Sequence, residues 1–298
     1  MSDRLQELAV FVRAAESGSF SRAARELGLS QPSVSRIVND LEARLGVTLL
    51  LRTTRRIAVT DAGALFLERA RGLLHELEEA EDAARGVDSL RGLIRIAMPV
   101  LYGILEVVPR LPDFMKAHPL LRIELVVADE LQNLIAEGAD VAIRLGKLSD
   151  SSFGARKLVT MQRHVVATPA YLKARGIPKT PADLSSHDCI FGPGLTARQS
   201  WSFVRNGTVT SVDVHGRLQT NSGPALSACL MSGMGIAIAS DAMCREQLKT
   251  GELVEVLRGY KLEPVDVHAL FPAGPRPSAK VRAFVDYLAS SLAAAQPR

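Results

Sequence analysis

The sequence predicts a mixed α/β chain in three parts: a small helical head with a hairpin wing over residues 1–60, a long linker helix over 61–90, and an α/β body of two subdomains over 91–298. Three patterns carry this. Apolar residues of the head recur at helical spacing in three short runs, a heptad repeat holds from Phe66 to Val87, and from Gly92 short β-prone runs alternate with helical ones. The 298 residues, 47% hydrophobic and 23% charged, exclude a disordered or fibrous chain and leave room for two or three folded units. No run reaches the ~18 apolar residues of a membrane-spanning helix. Asp3 and Glu7 stand where a signal peptide would be basic and then unbroken apolar, so a cytoplasmic location is expected. Cys189, Cys229 and Cys244 form an odd set without a CxxC pair, and the six histidines are scattered, so neither a disulfide scaffold nor a metal or cofactor site is expected.

Charge is uneven along the chain. Residues 1–60 hold nine arginines and no lysine against six acids, and residues 61–90 hold three arginines against eight acids. A basic head beside an acidic linker directs attention to a polyanionic partner at the head.

Within the head, Leu5, Leu8, Val12 and Ala15 predict one amphipathic helix over about 4–17, broken by Gly18 and Ser19. A second short helix is expected from Ser21, whose hydroxyl can cap it, to Leu27, with Gly28 as a left-handed C-terminal cap. Ser30 caps a third helix with Pro32 in its first turn and Val34, Ile37, Val38, Leu41 and Leu45 on its apolar face. The opposite face carries Gln31, Ser35, Arg36 and Asn39. Amide and guanidinium groups make the paired hydrogen bonds that read adenine and guanine edges in the major groove. A merely solvated helix face is the bland alternative, and the segment that follows outweighs it. In LLLRTTRRIAVT, Arg52, Arg55 and Arg56 surround two threonines between β-prone pieces, a hairpin suited to phosphates, where contacts add affinity and register but no sequence discrimination. The candidate contacts to double-stranded DNA are Ser21, Gln31, Pro32, Ser33, Ser35, Arg36, Asn39, Arg52, Thr54, Arg55 and Arg56.

Residues 1–63, through FSRAARELGLSQPSVSRIVNDLEARLG and then RTTRR and VTDAG, resemble the winged helix-turn-helix of LysR-type transcriptional regulators. The resemblance implies recognition positions at Gln31, Pro32, Ser35 and Arg36, and backbone-contacting positions at Arg52, Thr54 and Arg56. It also implies promoter DNA and RNA polymerase as partners. Leu50 departs from the Phe usual before the wing, a change expected in the core.

Thr60 is expected to cap a helix reaching about Val87, roughly 40 Å long. Phe66, Ala70, Leu73, Leu77, Ala80, Ala84 and Val87 follow one another at spacings 4, 3, 4, 3, 4, 3, a seam suited to a dimer or to packing on the chain's own domain. The acidic outer face, Glu76, Glu78, Glu79, Glu81 and Asp82, would be repelled from DNA. The family resemblance implies the homodimer, whose two heads suit an inverted repeat, and a homotetramer of two dimers.

In the body, Leu93 to Met98, Leu121 to Val127 and Asp140 to Leu145 read as buried strands, separated by helices near Ile104 to Ala117 and Glu130 to Gly138, the rhythm of a parallel sheet. A second set comprises His164 to Thr168, a hairpin across Asn206-Gly207 between Trp201 and Val214, a helix from Ser222 to Ser232, and Gly235 to Ser240. His268 to Phe271 and a helix from Ser278 to about Leu292 close the chain. Two subdomains follow, I over about 91–162 and 268–298 and II over about 163–267, crossing near 162 and 267. This half resembles the family's effector domain, which is similar to periplasmic binding proteins; MPVLYG, LIAEGADVAIRLG, DSS and HDCI point to its CrgA-like subgroup.

Ligands of open α/β folds bind beyond the carboxyl ends of strands. Strand ends and helix starts nominate Pro99, Val100, Leu101, Tyr102, Ala128, Asp129, Arg144, Phe191, Gly192, Thr220, Asn221 and Ser222 for a small-molecule effector. Thr220 to Ser222 either cap their helix or meet the ligand. Arg144 either pairs with a ligand carboxylate or is held by Asp140 or Asp150. Leu101 replaces the serine common in the subgroup and makes the first loop apolar, so an effector with an apolar or aromatic body and one acidic end is expected.

Other readings find little support. GxSxG, HExxH and GxxxxGK are absent, and Gly233-Met234-Gly235 precedes a strand where a dinucleotide fingerprint would follow one, so no catalysis is expected. A solute-binding protein would leave the first 90 residues unexplained. A thiol redox-responsive regulator would need a reactive thiolate, which residue type alone does not supply.

Overall fold

Helices of 8 to 15 residues are marginal alone and need a shared core. In the computed structural model, which describes residues 4–52, 57–84, 90–129, 138–148, 154–193, 198–271 and 277–295, α1 (Arg4–Ser17), α2 (Phe20–Leu27) and α3 (Gln31–Leu45) share one built from Phe11, Ala23, Val34, Val38 and Leu41. Burying each of the larger side chains contributes about 1.5–3 kcal/mol. Ser19, and not Ser21, caps α2: its Oγ accepts from Arg22 N at 3.4 Å, because the helix begins one residue earlier than expected and the backbone at Ser19 is extended. Ser21 instead donates to Gln31 Oε1 at 2.9 Å. Ser30 caps α3 through Ser33 N at 3.2 Å, and Gly28 and Gly46 end α2 and α3 in the left-handed conformation that glycine adopts without strain.

Glu42 Oε1 accepts from Leu49 N at 2.7 Å and Leu50 N at 2.9 Å, which sets the path into the wing. There β1 (Leu50–Arg52) pairs antiparallel with β2 (Ile57–Val59), and Leu50 is buried in the head core. Thr60 Oγ1 then caps α4 (Asp61–Ala84) through Gly63 N at 2.9 Å. A Cβ on Gly63 would fall on the Leu49 carbonyl oxygen and against Val59 Cγ1, so glycine alone lets α4 start against the base of the wing. The heptad reading needs correction at its N-terminal end. Phe66 packs edge-to-face on Phe11 with ring centroids 5.3 Å apart, and Ala70 is fully buried, both against the chain's own head. A helix that begins at the wing must cover α1 before it can reach a partner. On its outer side Leu65 and Leu73 stay exposed, at 70% and 54%, and Leu77 is half-buried. Val87 and the side chains of Ala80 and Ala84 lie outside the described residues.

The body begins with β3 (Gly92–Met98) and a continuous helical segment over 100–117, which opens as α5 (Val100–Tyr102), passes through a π turn and a 3-10 turn, and ends as α6 (Leu111–Ala117). β4 (Leu121–Val127), β5 (Val141–Leu145) and β6 (Gly154–Met161) follow; of the helix expected from Glu130 to Gly138, all but Gly138, which lies in a turn, falls outside the described residues. After Gln162 the chain enters the second subdomain with β7 (Arg163–Ala167), α7 (Pro169–Arg175), β8 (Cys189–Phe191), β9 (Arg198–Arg205), β10 (Thr208–His215) and β11 (Leu218–Gln219). α8 (Gly223–Met231), β12 (Ile236–Ser240), α9 (Asp241–Thr250), β13 (Val254–Val256) and β14 (Lys261–Leu262) complete it, and β15 (Val265–Phe271) and α10 (Ala279–Ala294) return to the first.

Two five-stranded sheets result, ordered β4-β3-β5-β15-β6 and β11-β8-β12-β7-β13. Both are mixed, where a parallel sheet was expected for the first. In the first, β15 runs against β5 and β6; in the second, β7 runs against β12 and β13. The reversed strand is in each case the one arriving from the other subdomain, because it enters at the end where its neighbours leave. Phe114, Phe284 and Leu288 pack from the helices onto the first sheet, and Trp201 and Phe203 of the β9-β10 hairpin join the core of the second subdomain. The hairpin turns at Asn206 and Gly207, both at positive φ, as a two-residue turn between right-twisted strands demands.

Replacing Gly63 with alanine forces α4 off the wing. A loss of about 1–3 kcal/mol is expected, read as a lower unfolding midpoint by circular dichroism.

Candidate nucleic-acid interface and ligand cleft

The N-terminal half of α3 presents Gln31, Pro32, Arg36 and Asn39 to solvent, with Ser33 and Ser35 partly exposed beside them. Gln31 is held by Ser21, and Ser33 Oγ lies 2.7 Å from Ser30 Oγ. Several of the head's acids are meanwhile taken up by arginines outside this face. Glu7 pairs with Arg44 at 2.6 Å, Glu26 with Arg22 at 3.1 Å and with Arg13, and Glu16 with Arg13 at 3.3 Å and Arg71 at 2.9 Å. Gln31, Arg36 and Asn39 remain exposed on this face. Arg52 belongs to β1 with its side chain outside the described residues, where Thr54, Arg55 and Arg56 also lie.

Glu16 does more than neutralise the head. Its carboxylate also meets Arg95 of β3 at 3.4 Å, so head, linker and body join at one largely buried group. Burial works against the Arg95 cation, but Glu124 at 3.0 Å and Glu16 more than offset it.

Between the two subdomains lies a cavity of about 430 Å³. Pro99, Leu101, Tyr102, Asp129, Arg144 and Gly192 of the nominated residues line it, together with Leu105, Leu145, Gly146, Met161, Arg163, Pro193, Gly223, Leu226, Ile238, Ser240, Ala242, Met243 and Val265. The others do not reach it. Phe191 is fully buried in the core of the second subdomain, edge-on to Trp201, because a mid-sheet strand points alternate side chains away from the cleft. Ala128 packs into a small core with Ala97 and Ala142. Val100, Thr220, Asn221 and Ser222 are absent from the lining, although Val100 contributes its backbone N–H to a contact described next.

The start of α8 differs from expectation. Ser222 sits at its N-cap but makes no capping bond, and Thr220 Oγ1 accepts from Ser222 N at 3.1 Å. The N–H of Gly223 donates instead to Asp129 Oδ2 at 2.8 Å, while Val100 N donates to Asp129 Oδ1 at 3.0 Å. Asp140, one of the two acids weighed for Arg144, accepts from Arg95 N at 2.7 Å, and Asp150 lies outside the described residues. Arg163, which sequence reasoning missed, donates from Nε to the Glu263 carbonyl at 2.6 Å; burial lowers its pKa and Glu263 partly restores it. Its signal was positional, since a crossing near 162 puts Met161 to Arg163 between the subdomains. Among the described residues no cluster of His, Cys, Asp or Glu can hold a metal ion. Burial pushes the Cys189 and Cys244 thiols up to about 12, with Asp188 and Asp241 adding to the effect.

Residues 5–64 match the bacterial regulatory helix-turn-helix protein of the lysR family, and residues 88–293 match the LysR substrate binding domain. The chain is 33% identical over 297 residues to the HTH-type transcriptional regulator CrgA of Neisseria meningitidis serogroup C (strain 8013), covering 98% of each chain. It superimposes on the solved structure of CrgA, a LysR-type transcriptional regulator from Neisseria meningitidis, with a TM-score of 0.60 and 30% identity, over 98% of this chain and 99% of that one. The full-length Vibrio cholerae virulence activator AphB gives a TM-score of 0.59 at 27% identity, over 97% of this chain and 99% of that one.

Thiols with pKa near 12 remain protonated at pH 8 and do not attack electrophiles. Iodoacetamide at pH 8 is expected to spare Cys189 and Cys244 in the native protein and to label both after denaturation, as read by peptide mass spectrometry.

Proposed function

Since the chain belongs to the LysR family of bacterial transcriptional regulators, we propose that its α3 reads an inverted-repeat promoter site through Gln31, Ser35, Arg36 and Asn39, flanked by Ser21, Pro32 and Ser33. The wing residues Arg52, Thr54, Arg55 and Arg56 hold the phosphate backbone. The observation that carries this reading is the exposure of Gln31, Arg36 and Asn39 at the start of α3, while Glu7 pairs with Arg44 at the far end of that helix and Glu16 and Glu26 pair with arginines of other elements. Two heads are needed for an inverted repeat. The outer side of α4, with exposed Leu73 and half-buried Leu77, supports a dimer continuing through Ala80, Ala84 and Val87, and two dimers form the tetramer. The regulator works without catalysis in the cytoplasm and meets RNA polymerase at the promoter. Among the described residues no helix is long and apolar enough to cross a membrane.

The head spans 1–60, the linker 61–90 and the sensing body 91–298 in this reading. Its cleft takes an effector with an apolar or aromatic body, laid against Leu101, Leu145, Met161, Leu226 and Ile238, and an acidic end facing Arg144 or Arg163. An effector that prefers one closure of the cleft biases the arrangement of subunits by its differential affinity for the two states.

Arg36→Ala is expected to weaken binding to DNA fragments selected by the wild-type protein by about 1–3 kcal/mol, with an unchanged melting curve; retained site-specific binding in a fluorescence anisotropy titration would show that α3 has been misassigned. In a thermal-shift screen, aromatic or aliphatic monocarboxylic acids should raise the melting temperature, since a ligand at 100 times its Kd adds about 2.7 kcal/mol. Preference for a sugar or an inorganic anion would reject the effector class.

A further inference from the structure

The first N–H groups of a helix lack intrahelical acceptors and sit at the positive end of its dipole, so negative charge is stabilised there. Ser222 is placed to supply an acceptor for α8 and makes no such bond. Asp129 supplies it from 94 positions away, across the cleft, and its second oxygen takes the first N–H of the helical segment 100–117. One carboxylate therefore caps two helices on opposite walls. Its position is prepared on both sides. Ala128 N donates to Met98 O at 3.1 Å, which holds Asp129 just past the paired ends of β3 and β4. Gly223 has no side chain where a Cβ would lie 3.1 Å from Leu101 Cβ, so the two helix starts can approach.

Two converging helix starts are what a small carboxylate ligand would seek, and here a tethered carboxylate occupies them. On the same wall, Tyr102 lines the cavity and its buried hydroxyl has no partner among the described residues. We propose that Asp129 is a built-in carboxylate that clasps the cleft shut without effector and sets effector specificity: it denies both helix starts to the ligand's acid and leaves Arg144 and Arg163 to receive it. This rests on the reading of the cleft as the effector pocket. A small acid that outcompeted Asp129 would release the only bond described between Asp129 and α8, so the clasp also sets how readily the cleft opens.

The test is Asp129→Ala in the full-length chain, followed by thermal unfolding in sodium formate, with sodium chloride at equal ionic strength as control. Formate is a carboxylate without a side chain and fits the vacated place. The variant is expected to melt below wild type, to recover in formate but not in chloride, and to bind formate about tenfold or more tightly than wild type does. Asp129→Asn preserves the volume and keeps one acceptor oxygen but sets an NH2 group against the second N–H; it should also melt below wild type, without formate rescue. Equal melting of wild type and Asp129→Ala, or a formate response no larger than that of wild type, overturns the proposal. The readout does not need the effector's identity. If formate separates variant from wild type while no organic acid shifts wild type, the clasp stands and the acidic effector falls; an acid that shifts wild type while formate fails on the variant overturns the clasp and leaves the effector pocket standing.

Discussion

The body is organised by one constraint: the chain passes between its two sheets twice, side by side. Met161, at the end of β6, pairs with Val265, at the start of β15, so the outgoing and returning strands are neighbours in the same ladder. Arg163 ties them further by donating to the Glu263 carbonyl, and Gln162 O accepts from Asp241 N at 2.9 Å. A two-strand joint of this kind lets the subdomains close on each other while restricting sideways slip. It also explains the reversed strand in each sheet and the composition of the cavity, whose wall includes Met161, Arg163 and Val265 because they stand at the joint itself.

A second junction links this body to the DNA-reading head. Glu16 receives Arg13 from its own helix, Arg71 from the linker and Arg95 from the body. Ion pairs this far from solvent cost desolvation, and removing one partner is far more damaging than removing all of them. Arg95 lies on β3, the strand that ends at Met98 before Pro99 and Leu101 line the cleft. Four residues of strand, about 13 Å, separate the charge that holds the head from the wall of the cleft.

Much of the head was legible in the sequence because its signals are local. Gly28 takes the left-handed conformation at the end of α2, Ser30 caps α3 three residues ahead, and Asn206-Gly207 makes the two-residue turn that its composition specifies. A local signal misled at the start of α2, where the helix begins at Phe20 and Ser19 caps it in place of the expected Ser21. The short α7, the polar α9 and the edge strand β6 escaped notice because none carries a long apolar stripe.

The sequence by itself determined the family, the three-part plan, the exposed polar face of α3 and the place where the chain crosses between subdomains. These follow from spacing over a few residues, from helix and turn chemistry and from motif order. Tertiary structure alone decided that Ala70 faces the chain's own head, that Phe191 turns into the core, that Arg163 enters the cleft and that Asp129 caps α8 in place of Ser222. Each depends on which surface is brought against which by a fold whose contacts join residues tens of positions apart, and residue type and spacing do not encode that pairing.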